Sequence, residues 1–223
     1  MIFALNLSGS LLEEGFDGPV TDLSGLLGTN CYCTPEAERE ITSALADYGP
    51  EGIHLTDTGD YHYLSLFWMR KIEEDFSLIL FDHHSDDQAG AFGNGMLTCG
   101  SWVGVARESL EHMKADLWIG GPEEPDYASV LDNDRPVYLS IDLDVLSRTF
   151  AVTDWDQGDM SPGELIHIIS RIASRHRIIG IDICGGITRA KGATPADLAK
   201  NASLRKSLIC SMSALLSETD SRN

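Results

Sequence analysis

Basic residues are scarce in this chain of 223 residues. Sixteen Lys+Arg stand against 35 Asp+Glu, for a formal net charge of −19 at pH 7. A surface this acidic repels phosphate backbones and anionic headgroups, so we expect no nucleic-acid partner and no membrane partner. The same field favours metal ions and cationic ligands. The partner we expect is a small-molecule substrate, and the sequence is also compatible with a homo-oligomer.

Long apolar runs and paired cysteines are missing as well. No stretch of about 18 apolar residues predicts a membrane span, and the N-terminus lacks the basic start and long apolar segment of a signal peptide. The five cysteines are an odd number and form no C-x-x-C pair. These absences predict a cytoplasmic protein with reduced thiols. No repeat or linker divides the chain, so we expect a single domain over residues 1–223.

Short apolar segments alternate with amphipathic helical patterns along the chain. Helix starts are indicated where a capping residue precedes proline, at Thr34-Pro35, Ser161-Pro162 and Thr194-Pro195. Several apolar segments are continuous, which is typical of strands buried on both faces. This alternation predicts an α/β fold, a three-layer α/β/α sandwich with a mainly parallel sheet. The predicted strands cover residues 2–7, 52–57, 77–81, 116–119, 136–141 and 177–183.

Aspartate and histidine follow four of the predicted strands, and the carboxyl ends of parallel strands meet at one edge of a sheet. Alternate residues of extended backbone point the same way, so neighbouring ligands in each motif are expected to converge. Packed carboxylates repel one another without cations, and a mixed carboxylate and imidazole set suits Mn²⁺, Zn²⁺, Ni²⁺ or Fe²⁺. Six ligands predict two divalent metal ions. The candidate ligands are His62, Asp82, His84, Asp86, Asp142 and Asp144.

Each motif is weak when taken alone. D-x-D also occurs at Asp132/Asp134 and at Asp154/Asp156, in predicted loops. A single histidine such as His62 is often an ordinary hydrogen-bonded polar residue. The three motifs in this order, each at a strand end, indicate a metal site more strongly than any one of them does.

The order of these motifs resembles that of the arginase/agmatinase (ureohydrolase) family. The matching segments are Gly59-Asp-Tyr-His62, Asp82-His-His84-Ser-Asp86 and Ser140-Ile-Asp142-Leu-Asp144. The resemblance covers roughly residues 52–190. It implies an arginase-like sandwich and two Mn²⁺ ions, with Asp82 and Asp142 bridging them. One ion would also be held by His62 and Asp86, and the other by His84 and Asp144.

The resemblance implies hydrolysis of a C–N bond by a hydroxide that bridges the two metal ions. Asp86 would hydrogen-bond this hydroxide and pass on its proton. Three departures put the family's guanidino substrates in doubt. Gly185 stands where the family has a glutamate that grips the guanidinium, and Cys99 stands at the position of its proton-shuttling histidine. Residues 153–158 replace its P-G-T-G loop.

A small cationic or amide-like substrate is therefore expected. Candidate substrate-binding residues are Asp182 and the two acids that flank Trp155, Asp154 and Asp156. A loop over residues 150–159 and another over 90–95 are the expected functional loops. Cys99 is a candidate catalytic residue. The loop over residues 150–159 and Cys99 also have purely structural interpretations: the loop could be an exposed acidic turn, and Cys99 could be a small buried apolar residue.

Three other functions remain open from the sequence. A zinc deacetylase of the same sandwich fold would use a single ion and a catalytic tyrosine, for which Tyr61 and Tyr63 are candidates. Asp82-His83-His84 also resembles the motif of DHH phosphoesterases, although the aspartate pair that they need upstream is missing. A non-catalytic metal-binding or ligand-binding protein is the third.

Overall fold

The computed structural model describes residues 1–88, 96–131 and 133–220, and its centre is a seven-stranded parallel sheet. The strand order across the sheet is β2-β1-β4-β9-β8-β5-β7, and a separate antiparallel ribbon pairs β3 with β6. The strands are β1 (Ile2–Asn6), β2 (Thr21–Asp22), β3 (Tyr32–Cys33), β4 (Gly52–Leu55), β5 (Phe76–Phe81), β6 (Leu97–Thr98), β7 (Met113–Ile119), β8 (Val137–Asp142) and β9 (Ile178–Cys184).

Helices connect the strands, and the predicted capping signals start three of them. The Thr34 side chain accepts a hydrogen bond from the Ala37 backbone N–H, and Ser161 and Glu164 form a reciprocal capping box. The helices are α1 (Ser10–Glu13), α2 (Pro35–Ala44), α3 (Ser65–Met69), α4 (Trp102–Ser109), α5 (Tyr127–Leu131), α6 (Pro162–Ala173) and α7 (Pro195–Asp220). Single 3₁₀ turns cover Gly59–Leu64, Leu143–Val145 and Arg189–Lys191.

Both faces of the sheet are buried in apolar clusters. Leu78 and Leu80 of β5 pack in one cluster with side chains of α2, α3 and α4, whereas Ile79 and Phe81 pack in the other with α6 and α7. Alternation of side chains along a strand sends successive residues to opposite faces. The chain therefore has helix, sheet and helix layers, and the predicted α/β/α sandwich is confirmed.

The six predicted strands are all present, with ends that differ by up to three residues. Three two-residue strands, β2, β3 and β6, were not predicted, since two residues show no periodicity. The loop predicted over residues 90–95 lies outside the described residues. Within the described part of the chain, no helix combines the length and apolarity needed to cross a membrane.

Candidate metal centre and its cavity

The predicted ligands come together above the middle of the sheet. Asp82 follows β5 directly, Asp142 is the last residue of β8, and Asp144 lies in the 3₁₀ turn after it. His62 is carried by the 3₁₀ turn Gly59–Leu64 after β4. Adjacent β5 and β8 place their carboxyl ends side by side. The sheet topology therefore collects residues that are up to 82 positions apart in the chain (144 − 62).

His62 faces three carboxylates with one ring nitrogen. Its Nδ1 lies 3.1 Å from Asp82 Oδ2, 3.0 Å from Asp86 Oδ2 and 3.6 Å from Asp142 Oδ2. The Asp86 carboxylate also accepts a hydrogen bond of 2.7 Å from the Trp102 indole N–H. Asp86 has a positive φ of 49°. The extended backbone expected from Asp82 to Asp86 is therefore replaced by a turn, which still directs both carboxylates to His62.

His84 organises the second half of the cluster. Its Nδ1 lies 2.9 Å from Asp144 Oδ2 and 3.5 Å from Asp82 Oδ1. Backbone N–H groups hold the carboxylates: Asp144 N donates to Asp142 Oδ1 at 2.9 Å, and His83 N donates to Asp144 Oδ1 at 3.0 Å. The His84 side chain is 29% exposed, whereas Asp144 is buried. This half of the cluster is therefore the one that faces solvent.

Among the described residues there are three groups of three possible metal ligands, and within each group the ligand atoms lie within 4.8 Å of one another. Two of them, His62-Asp82-Asp86 and Asp82-His84-Asp144, share Asp82 and contain three of the four ligands of each predicted half; neither includes Asp142, the second predicted bridging ligand. The third joins His62 and Asp142 to Cys184, a residue that we did not predict and whose thiol also contacts the Thr58 carbonyl. A cysteine at the end of an apolar strand gives no sequence signal that distinguishes it from a core residue.

The pKa values of Asp142 and Asp144 are raised in the way expected of buried carboxylates that lack enough positive charge nearby. Burial raises the pKa of Asp142 well above its usual value, and repulsion from Asp144 and Asp82 raises it further. The pKa of Asp144 is raised to about 6, mainly by burial. Hydrogen bonds to Asp144 and Asp82 raise the pKa of His84 to about 10. Buried carboxylates that share protons with histidines in this way are well suited to divalent cations. The donor set therefore fits divalent metal ions.

Asp182 differs from its predicted role as a substrate ligand. The strand β9 continues to Cys184, so Asp182 lies inside the strand and not at its end. It is fully buried, and its Oδ1 accepts hydrogen bonds from Ser140 (2.8 Å) and Ser65 (3.0 Å). Ser140 Oγ in turn lies 2.8 Å from His62 Nε2. Asp182 therefore positions a metal-ligand candidate from behind, out of reach of a substrate.

A cavity of about 240 Å³ opens over the cluster. We call the six predicted metal ligands among its lining residues the ligand wall. We call the other lining residues the facing wall; they are small, polar and aromatic residues from the β3/β6 ribbon, the loops beside it, the 3₁₀ segment Gly59–Leu64 and the loop predicted over 150–159. The facing wall contains Cys31, Gly59, Gln88, Thr98, Cys99, Gly100, Ser101 and Trp155.

Cys99 and Trp155 lie in the facing wall as expected of site residues, but the two acids beside Trp155 do not line the cavity. Asp156 is exposed. Asp154 forms an ion pair with Lys191 at 3.1 Å, and burial raises its pKa. Burial also raises the pKa of the Cys99 thiol, which is therefore neutral at pH 7 and can donate a hydrogen bond but not act as a base.

Lys191 and Asp60 were not predicted, and both lie beside the facing wall. Lys191 Nζ is 2.9 Å from Asp60 Oδ2, and Trp155 Nε1 donates to Asp60 Oδ1 at 3.1 Å. Burial opposes ionisation of Asp60, but hydrogen bonds from Lys191, Cys31 and Asn30 hold its pKa below the usual value. An isolated lysine 131 residues from its acid partner gives no sequence signal.

Two of the alternative functions, the zinc deacetylase and the DHH phosphoesterase, gain no support from this arrangement. Tyr63 donates its hydroxyl to the Thr29 carbonyl at 2.6 Å, and neither Tyr63 nor Tyr61 lines the cavity, as a deacetylase tyrosine would. In the described part of the chain, the groups of possible metal ligands do not include His83, the middle residue of the DHH-like string.

Comparison with known proteins identifies the fold class. The chain has 18% identity and a TM-score of 0.65 to a hypothetical agmatinase from Burkholderia thailandensis, covering 100% of this chain and 86% of that one. It has 15% identity and a TM-score of 0.65 to proclavaminate amidino hydrolase from Streptomyces clavuligerus, covering 96% and 91%. An Mn²⁺-bound triple mutant of a T. brucei arginase-like protein gives 18% identity, a TM-score of 0.54 and coverage of 92% and 88%. The fold is thus that of the arginase/ureohydrolase family, and the resemblance found in the motifs is confirmed at this level.

A nearer relative is found by sequence. An uncharacterised protein from Thermotoga maritima is 32% identical over 170 residues, which cover 71% of this chain and 67% of that protein. The chain belongs to one family with this uncharacterised protein from Thermotoga maritima. No family model matches the sequence.

Proposed function

We propose that this protein is a metal-dependent hydrolase that cleaves a C–N bond of a small substrate. The observation that carries the proposal is the pair of ligand groups that share Asp82 at the floor of a cavity. The first ion would be held by His62, Asp82, Asp86 and Asp142. The second would share Asp82 and Asp142 and add His84 and Asp144. Mn²⁺ is the ion we expect, with Zn²⁺, Ni²⁺ and Fe²⁺ as alternatives.

Bound divalent ions supply Lewis acidity, which lowers the pKa of water enough for it to attack at neutral pH. The protein's own residues provide orientation and proton transfer. The Trp102 indole N–H and His62 fix the Asp86 carboxylate at the cavity floor, at 2.7 and 3.0 Å. Asp86 is therefore placed to take a proton from the attacking water and deliver it to the leaving nitrogen.

In the overall reaction, the oxygen of water bonds to the substrate carbon and the C–N bond breaks. The electron pair of the C–N bond stays on nitrogen, which takes up the proton. The Cys99 thiol, neutral and 8% exposed, is placed to donate a hydrogen bond to a substrate heteroatom in the cavity. The ligand wall thus carries the proposed chemistry, and the facing wall holds the substrate.

Metal analysis of the protein after loading with Mn²⁺ tests this function. We expect two ions per chain and release of ammonia or an amine from at least one small amide, amidine, urea or guanidino compound. Asp82→Asn removes the negative charge of the shared ligand. Metal content should therefore fall below one ion per chain, and the turnover rate should decrease at least about 100-fold. Asp87→Asn is the matched control, because Asp87 is an exposed residue of the same loop that pairs with Arg107.

One ion per chain in the parent protein would favour a single-metal enzyme of the deacetylase kind. Two ions without turnover of any compound in the panel would favour the non-catalytic alternative. Equal metal content in Asp82→Asn and Asp87→Asn would remove Asp82 from the site and contradict the proposal.

A further inference from the structure

The charges around the cavity differ between its two walls. The ligand wall contains four carboxylates, from Asp82, Asp86, Asp142 and Asp144, whose formal charge two divalent ions would cancel. The facing wall has no ionisable acid or base other than two buried or half-buried thiols among its described residues. Residues 89–95 lie outside the described part, and their sequence, Ala-Gly-Ala-Phe-Gly-Asn-Gly, contains no charged side chain. With both metal ions bound, the residues that line this cavity would therefore present little net charge to a substrate.

Asp60 and Asp154, two acids beside the facing wall, are both paired with one cation, Lys191. Lys191 Nζ lies 2.9 Å from Asp60 Oδ2 and 3.1 Å from Asp154 Oδ2, so it bridges both carboxylates. Asp60 has further donors in Asn30 Nδ2 at 2.8 Å and Trp155 Nε1 at 3.1 Å. Both acid side chains are 3% exposed, whereas Lys191 is 48% exposed and reaches in from the 3₁₀ turn Arg189–Lys191.

No side chain can supply an acid at Gly185. Its φ is +95°, and a Cβ there would lie 2.5 Å from Asp142 Oδ1 and 2.8 Å from the Leu143 backbone nitrogen. The contact is with a ligand carboxylate and with backbone, so little can give way. A carboxylate that would orient a cationic substrate from this position is therefore sterically excluded.

We propose that the cavity accepts a compact neutral amide-type or urea-type substrate, and that Lys191 determines this specificity by pairing with Asp60 and Asp154, so that neither carboxylate is free to bind a cationic substrate. The inference rests on the proposed function and narrows its substrate class. The remaining polar groups of the facing wall, on Gln88, Thr98 and Ser101, are neutral hydrogen-bonding partners. Neutral donors and acceptors match an amide, whereas an amidinium or guanidinium buried without a carboxylate partner loses its hydration uncompensated. A volume of about 240 Å³ suits a molecule of this small size.

Acetamide and acetamidinium test the inference, since they have nearly the same shape and differ in charge. Each carries a methyl group whose proton signal is broadened by Mn²⁺ nearby, so titration of the Mn²⁺-loaded protein gives both dissociation constants without any need for turnover. Metal-free protein is the blank. We expect acetamide to bind at least about tenfold more tightly than acetamidinium, the typical effect of one charge-assisted contact.

Lys191→Met should free Asp60 and Asp154 and shift the ratio of the two dissociation constants at least about tenfold toward acetamidinium. Lys191→Arg keeps the cation and should keep the parent ratio. Lys206→Met removes an exposed lysine of α7 and is the matched control for net charge. A parent protein that prefers acetamidinium overturns the inference, even if Lys191→Met fails to fold, and so does an unchanged ratio in folded Lys191→Met.

Failure of the proposed function gives a different result. A parent protein that binds no Mn²⁺ broadens neither signal, and this outcome overturns both the function and the inference. If the parent protein binds two ions but binds acetamidinium more tightly than acetamide, the proposed metal-dependent function is retained. Only the preference for a neutral substrate and the role of Lys191 are then contradicted.

Discussion

The two walls of the cavity are built in different ways. The ligand wall stands on strand ends and the turns that follow them, with Asp82, Asp142 and Asp144 each at most 2% exposed and held by backbone N–H groups. The facing wall stands on a two-residue ribbon and loops, and its Trp155 is 39% exposed. The proposed chemistry would thus be anchored to the rigid sheet, whereas the proposed substrate choice would depend on segments that can vary without disturbing the sheet.

The largest effect on stability is expected for a substitution at Gly185, whose backbone lies against the ligand wall. Gly185→Ala should lower the free energy of unfolding by about 2–4 kcal/mol and reduce metal content, because the new Cβ meets Asp142 and Leu143 in addition to the strain of positive φ. Gly192→Ala shares the positive φ, +99°, but has nothing within 4 Å, so it should cost only about 1 kcal/mol.

Urea denaturation and metal analysis of both variants make the measurement. Equal costs at the two positions would mean that Gly185 tolerates a side chain. In that case Gly185→Glu becomes a feasible way to introduce an acid beside the ligand wall, and the steric argument against cationic substrates fails.

A smaller effect is expected behind the ligand wall, where Ser140 links His62 Nε2 to Asp182. Ser140→Ala should weaken Mn²⁺ binding about 10- to 100-fold, the usual cost of removing a group that orients a metal ligand. Thr98→Ala, on the facing wall, removes a hydroxyl that pairs with Ser101 at 2.7 Å and should leave Mn²⁺ affinity unchanged. Titration with Mn²⁺ measures both. If the two variants weaken binding alike, the walls do not divide metal binding from substrate binding.

The smallest effect is the pH dependence of stability that we expect from His54, a buried residue of β4. His54 stacks on Trp68 with ring centroids 3.9 Å apart, its Nδ1 lies 3.0 Å from the Tyr138 hydroxyl, and burial lowers its pKa to about 3. The unfolded chain takes up a proton at this histidine near pH 6.5, whereas the native state stays neutral until about pH 3. Native stability should therefore be full above pH 6.5 and fall as the pH decreases, by up to about 1.4 kcal/mol per unit from this group.

His54→Gln removes the ionisation and retains a hydrogen-bonding side chain. Urea denaturation in EDTA at pH 7 and pH 5 should show a smaller loss of stability for this variant than for the parent. The same loss in both would mean that His54 titrates normally, and that the interior behind the ligand wall is more accessible to water than its burial indicates.

Local patterns were sufficient for much of this protein. Continuous apolar segments located all six long strands, and capping residues followed by proline located the starts of α2, α6 and α7, since both signals depend on neighbours in the chain. The six ligand candidates were identified because each motif ends or follows a strand, and parallel topology brings strand ends together. The residues of the ligand wall were therefore predictable, although the turn at Asp86 was not.

Only the tertiary structure decided how the acids outside the ligand wall are used. Asp182 lies within β9 in register with Ser140, and this pairing turned an expected substrate ligand into a buried positioning residue. Asp154 and Asp60 are both paired with Lys191, which is distant in sequence from both. Secondary structure follows from interactions between near neighbours, but burial and charge pairing arise from contacts between distant residues. For this reason the sequence located the candidate metal ligands, whose side chains need only the ends of parallel strands to meet, and only the folded chain showed how the acids around them are buried and paired.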